Sequence, residues 1–251
     1  MAFDRAPAHW EVTLHEERPR DADAIVLLPG IPGDGFSFDP EDPQRVIDEI
    51  RAAPGPRRNV VGVWGPLPGA GATSVAVHLA AALARYQDSY LIDLDPWRGA
   101  ARWFACPPPD SDVQDDELRA RPVPGGFRLV EGDLPVDRLG ASRVVVDGPH
   151  AAVRRAGCGR NVIVVPSGRT GVERAAEMLA TIDLGPSAIV VNRTGWGGEL
   201  TSSAIQRSLG HRVALELPFS PGLRDAEDRA RLMTSPLSPW LNGIRRLARA
   251  I

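Results

Sequence analysis

A chain of 251 residues, 43% of them hydrophobic, is long enough to bury a sizeable core, and it most simply holds one α/β domain with an extra segment. A formal charge of −3 and a pI near 6.0 give no electrostatic case for wholesale nucleic-acid binding and leave only local basic patches. Cys106 and Cys158 have neither metal-ligand spacing nor a disulfide pattern, no apolar run approaches the ~18 residues of a membrane span, and the first ten residues lack a secretory leader's pattern. A soluble protein of the reducing cytoplasm is expected.

Residues 1–57 read as an appendage, not an independent domain. His9 to His15 alternates like a half-buried strand, Ala24 to Leu28 reads as a buried strand, and Pro43 to Ala53 has helical periodicity through Val46, Ile47 and Ile50. The stretch Pro29 to Pro43 between them is turn chemistry. A Pro/Arg run at Pro54 to Arg58 marks the boundary, so residues 58–251 are expected to form the main domain.

That domain opens on Val60 to Ser74, VVGVWGPLPGAGATS. A β-branched strand runs into a Gly/Pro loop, and the loop opens a helix expected over Thr73 to Tyr86. This is the layout of a phosphate-binding loop, G-x-x-x-x-G-K-[ST], in which backbone N–H groups cradle phosphate, a lysine reaches its outer oxygens and a hydroxyl ligates Mg²⁺. Gly69, Ala70, Gly71, Thr73 and Ser74 supply the cradle and the hydroxyls, but Pro66 replaces the first glycine and Ala72 the lysine. No neighbour replaces the amine, because all 29 basic residues are arginine. Pro66 and Pro68 each remove a donor N–H. The competing reading is a strand-to-helix turn kept for packing, with no ligand.

From there strands and helices alternate, which predicts a mostly parallel sheet covered on both faces. Ser89 to Leu94 is a strand ending in Asp93-Leu94-Asp95-Pro96, whose two acids point to one side of the strand's carboxyl end, where α/β ligands bind. Residues 107–125 are proline-rich, with a short helix expected over Val113 to Arg119. Phe127 to Val130 resumes the sheet, and Arg143 to Val146 ends at Asp147, as a Walker B acid does to hold the water shell of Mg²⁺. Strands follow at Asn161–Val165, Ser187–Val191 and Arg212–Leu217, with helices at Gly171–Ile182, Thr201–Leu209 and Leu223–Leu232. A last helix, Trp240–Ile251, is amphipathic and arginine-rich. It reads as the closing helix of the domain in preference to a peripheral membrane contact.

The loop with its alanine-rich helix, followed by LIDLDPWRG, VVVDGP, IVVNRT and LPFSPGLRDA, resembles the MinD/ParA class of deviant Walker ATPases over roughly residues 58–251. Members normally carry a signature lysine and a P-loop lysine. The matching positions here are Leu67 and Ala72, so the chain looks similar to the divergent CpaE/TadZ branch and its septum-site-determining-like relatives. The resemblance implies a doubly wound P-loop NTPase fold binding ATP or ADP with Mg²⁺. Gly69, Ala70, Gly71, Ala72, Thr73 and Ser74 would contact the nucleotide, and Thr73, Asp93 and Asp147 would form the metal site. Asp95 would orient the attacking water if the protein is active. Asn192 would read the adenine edge and Pro218 would make a backbone contact to the base.

The resemblance further implies a scaffold that localises a pilus, a secretion apparatus or a division site through protein partners, with homodimerisation and little or no hydrolysis. Two readings stand beside it. One is a working partition-type ATPase in which an arginine such as Arg98 or Arg102 replaces the lysine; the other is nucleic-acid binding through patches such as Arg154-Arg155 and Arg245-Arg246. His78 reads as a satisfied core or interface histidine. Trp97, Trp103 and Phe104 suit core packing, or a partner surface where exposed.

Overall fold

The computed structural model describes residues 26–27, 36–37, 57–107, 120–132, 139, 142–182, 185, 187–195 and 200–251. The chain divides into two compact units, Met1–Pro56 and Arg57–Ile251. In the first, β1 (Val26–Leu27) and β2 (Phe36–Ser37) pair in parallel. β1 lies inside the strand expected over Ala24 to Leu28, whereas β2 falls in the stretch read as turns; two paired residues are too short to leave a periodic signal. The expected strand His9 to His15 and the helices Pro43 to Ala53 and Val113 to Arg119 lie outside the described residues.

The second unit is a doubly wound α/β layer. Its eight strands are β3 (Arg57–Trp64), β4 (Ser89–Asp93), β5 (Arg121–Pro122), β6 (Arg128–Glu131), β7 (Arg143–Asp147), β8 (Cys158–Pro166), β9 (Ser187–Thr194) and β10 (Val213–Pro218). They lie in the order β10-β9-β8-β3-β7-β4-β6-β5, and only the edge pair β5–β6 is antiparallel. The central strands are runs of valine and isoleucine because both faces of the sheet are covered: Val60, Val61, Val63 and Val144 to Val146 are all fully buried.

Helices α1 (Ala72–Leu83), α2 (Gly99–Trp103) and α7 (Pro239–Ala250) share one hydrophobic core with alternate residues of the strands. The other core lies under α3 (His150–Arg155), α4 (Arg169–Leu179) and α5 (Ser202–Leu209). Helix α6 (Pro221–Asp228) follows β10. Helix α3 escapes the sequence reading because six residues are too few for a hydrophobic stripe.

Register brings the functional ends into line. Val63 pairs with Asp147 across β3 and β7, and Asp93 pairs with Asp147 across β4 and β7. Two acids therefore end adjacent parallel strands, level with the point where β3 gives way to the glycine loop.

Candidate functional site: a loop and two buried acids

The loop from Gly65 to Gly71 turns β3 into α1. Gly69 and Gly71 take positive φ (77° and 92°), a region that L side chains rarely occupy, so the turn needs glycine there. Helix α1 begins with Gly71 as a cap that has no side chain to offer and with no acid in the first turn. Its first backbone bond runs from the Val75 N–H to the Gly71 carbonyl. The amides of Ala72, Thr73 and Ser74 precede it and have no carbonyl one turn back within the helix, so the N-terminus is an electropositive cradle. The methyl of Ala72 stands where a lysine would add charge.

Asp147 faces this cradle. It is 2% exposed, the Thr73 hydroxyl donates to its carboxylate, and its Oδ2 has no hydrogen-bond partner among the described residues. Burial pushes its pKa up to about 8, against the partial relief given by Thr73, and the charges of Asp93 and Asp95 push the same way. Asp95 lies across the same gap. A β-carbon added to Gly99 would meet Asp95 Oδ2 at 2.9 Å and Thr73 Oγ1 at 3.0 Å, so only glycine leaves these two oxygens their positions. The other oxygen of Asp95 accepts the Trp97 N–H at 3.0 Å.

Asp93 is engaged differently. Its Oδ1 accepts the Asp95 N–H and its Oδ2 accepts the Ala101 N–H, each at 3.0 Å. Burial raises its pKa, and these amides oppose the rise. The side chain fixes the turn after β4 and caps α2. Both oxygens accept backbone amides.

Asn192 is the clearest departure from expectation. Its side chain is 1% exposed; Nδ2 donates to the Ala70 carbonyl at 2.9 Å, and Oδ1 accepts from the Trp240 indole at 3.2 Å. Each end of the amide therefore holds a partner inside the fold, which fixes the orientation of the side chain. Pro218 ends the edge strand β10, half-buried, and the Phe219 N–H beside it donates to the Thr194 carbonyl at 2.7 Å.

Of the two arginines that follow the acids, Arg98 is engaged elsewhere. The guanidinium of Arg98 pairs through Nε with Glu131 and donates through Nη2 to the carbonyls of Cys106 and Pro107, which ties down both ends of the segment after Asp95. Arg102 is exposed on α2. Among the aromatic residues of this segment, Trp103 is 3% exposed and Phe104 packs on Phe127, whereas Trp97 is 72% exposed.

His78 is a satisfied core histidine. Its Nδ1 lies 2.8 Å from the Ser74 carbonyl and its Nε2 accepts the Met233 N–H at 3.1 Å, which assigns the neutral ring with the proton on Nδ1. Burial lowers its pKa to about 4. Helix α7 packs its apolar face inward, with Trp240, Leu241, Ile244 and Leu247 all buried, so that face is not offered to a membrane. No helix among the described residues is long and apolar enough to cross one. Cys106 and Cys158 are half-buried and form no disulfide among the described residues.

Three working parts were not picked out from the sequence. Gly99 carries its signal in the WRG that follows the acids, and Glu131 in its place as a third strand-end acid. The Trp240 indole leaves no local signal, because its partner is 48 residues away.

The fit to Mg²⁺ rests on the orphaned Asp147 oxygen beside the Thr73 hydroxyl. That donor pair suits a hard cation through oxygen and water. No group of three or more His, Cys, Asp or Glu among the described residues is placed to hold a metal by itself. A cation here would draw its remaining oxygens from water or a ligand.

No protein-family model matches the chain, and no curated protein matches it in sequence. Among solved structures it is similar to the ParA family ATPase from Chlorobium tepidum TLS (TM-score 0.62, 16% identity, covering 76% of this chain and 99% of that one). It is similar also to the MinC:MinD cell division protein complex of Aquifex aeolicus (TM-score 0.62, 18% identity, 76% and 94% covered). A third is the septum site-determining protein MinD complexed with Mg-ADP from Pyrococcus horikoshii OT3 (TM-score 0.61, 13% identity, 77% and 95% covered). At these identities the likeness establishes the fold: an α/β layer of the kind seen in MinD and ParA-family ATPases.

Proposed function

We propose that this chain is a nucleotide-binding scaffold that holds ATP or ADP with Mg²⁺ at the β3–α1 loop, hydrolyses it little or not at all, and positions a larger machine through protein partners. A pilus or secretion apparatus and a division site are the two classes of machine that the sequence resemblance favours. The observation that carries this reading is the uncapped start of α1 facing a buried carboxylate with a free oxygen, at a site where Ala72 stands for the lysine. Phosphate is the chemistry that such a cradle recognises. Thr73 and Asp147 are the residues that would hold Mg²⁺, and the cation would supply the charge that Ala72 does not.

Magnitudes separate binding from turnover. A hydrogen bond to a charged group contributes about 1.5–3 kcal/mol, so loss of the P-loop amine costs roughly one to two decades of affinity. Binding then survives at millimolar nucleotide. A preorganised donor at developing charge contributes about 2.7–4 kcal/mol, and the absence of two lowers turnover by very roughly 10⁴ to 10⁶ if the effects add. The engagement of Arg98 with Glu131 and two carbonyls weighs against an arginine-driven ATPase.

Calorimetry of Mg-ATP and Mg-ADP on wild type and Asp147→Ala, with phosphate release followed on the same samples, tests the reading. Binding that depends on Asp147 with no phosphate released is the expected result. No binding at millimolar nucleotide overturns it and leaves the loop as a packing turn, whereas steady phosphate release overturns the non-hydrolysing part.

A further inference from the structure

The loop's shape is not set by the loop alone. Its Ala70 carbonyl is held by Asn192, and Asn192 is held by Trp240, which lies 48 residues further on, in the first turn of α7. We propose that Trp240 is a positioning residue for the phosphate loop: its indole N–H fixes the orientation of the Asn192 amide, and that amide fixes the Ala70–Gly71 turn.

The donor and acceptor inventory makes the relay directional. An indole nitrogen only donates and a backbone carbonyl only accepts. Asn192 between them is therefore confined to one of its two amide orientations, Oδ1 toward Trp240 and Nδ2 toward Ala70. The flipped amide would place N–H against N–H and oxygen against oxygen, in a region where Asn192 and Trp240 are each 1% exposed and water offers no alternative partner. Gly71 presses directly on the same amide, since an added β-carbon would come within 2.3 Å of Nδ2.

The indole is itself immobilised. It meets His78 edge-on with ring centroids 5.0 Å apart, and His78 meets Trp103 of α2 at 5.5 Å. His78 is bonded at both ring nitrogens, and the Ser238 side chain caps α7 by accepting the Leu241 N–H. A displacement of the start of α7 therefore reaches the loop through two hydrogen bonds and no mobile side chain.

Only the consequence for affinity rests on the proposed nucleotide site; the mechanical claim does not. Trp240→Phe keeps an aromatic ring against His78 and removes the donor. Leu247→Ala in the same helix loosens packing without touching the relay. Amide hydrogen exchange of the full chain is read at Ala70, whose N–H donates to the Leu67 carbonyl at 3.3 Å, and at Val61 and Val63 in β3 as reporters of global stability. In Trp240→Phe, Ala70 exchange is expected to rise about tenfold relative to β3, as for one lost hydrogen bond, and in Leu247→Ala the ratio is expected to stay at the wild-type value. Equal acceleration in both variants, or none at Ala70, overturns the proposal.

Mg-ADP calorimetry on the same variants then reads the consequence, an approximately tenfold weaker affinity in Trp240→Phe alone. Wild type that binds no nucleotide would sink the proposed function, whereas the exchange ratio would still decide for or against the relay.

Discussion

Asp93 and Asp147 end adjacent parallel strands in the same register, both are buried, and burial raises the pKa of both, yet their surroundings differ in kind. Asp93 has an amide on each oxygen; Asp147 has the Thr73 hydroxyl and one oxygen with no partner among the described residues. An acid fully bonded to backbone is part of the architecture. An acid left partly unbonded at 2% exposure carries an electrostatic cost that the fold alone does not relieve. The contrast has Asp93 holding the β4–α2 turn and is what singles out Asp147 for the proposed ligand site.

The largest effect tests the architectural half of that contrast. Asp93→Ala removes two charge-assisted bonds from a buried turn and is expected to destabilise the protein by about 4 kcal/mol in urea denaturation. Asp93→Asn should lose less, and a cost below about 1 kcal/mol for the alanine variant would show that the turn stands without its acid.

His78 supplies a buried reference of the opposite sign. Its folded pKa of about 4 lies below the ordinary histidine value of 6.5, so the unfolded chain takes up the proton first as pH falls. Its contribution is fully present above pH 6.5 and is lost between 6.5 and about 4. The expected drop is about 3 kcal/mol over that window, and His78→Gln should flatten it in urea melts run at each pH.

Asp147 sharpens the other half. Its folded pKa of about 8 lies above the ordinary aspartate value of 3.8, so ionisation of the unfolded chain weakens folding progressively from pH 3.8 to about 8. Asp147→Asn should match wild type near pH 4 and exceed its stability at pH 9, while losing Mg-nucleotide binding. Equal stability at both pH values would place water or a partner on the orphaned oxygen.

The smallest effect probes the gap between Asp95 and Thr73. Gly99→Ala should lower stability by only about 1 kcal/mol, because carboxylate and hydroxyl side chains can give way. It should displace both oxygens, and so weaken nucleotide affinity more than it weakens folding.

The strands of the main unit were legible because their signal is local. Runs such as Val144 to Val146 and Val162 to Val165 are hydrophobic on both sides only when a sheet is covered on both faces. The same holds for the loop, since Gly69 and Gly71 mark the backbone's need for positive φ. The role of Asn192 was not legible in that way. A VVNR motif states that an amide ends the strand, but its occupancy is decided by an indole 48 residues downstream. Arg98 likewise offered itself as a cation until Glu131, 33 residues away, claimed it. Motifs report which groups are present; the fold decides which remain unspent.

One exposed side chain gives the site an optical signal. The Trp97 indole is 72% exposed, whereas Trp64, Trp103 and Trp240 are at most 3% exposed, and its backbone N–H is tied to Asp95. Acrylamide or iodide will reach Trp97 far more readily than those three. A ligand that draws Asp95 inward would pull on the peptide that carries this fluorophore, so occupancy of the cradle should change the part of the collisional quenching that Trp97→Phe removes.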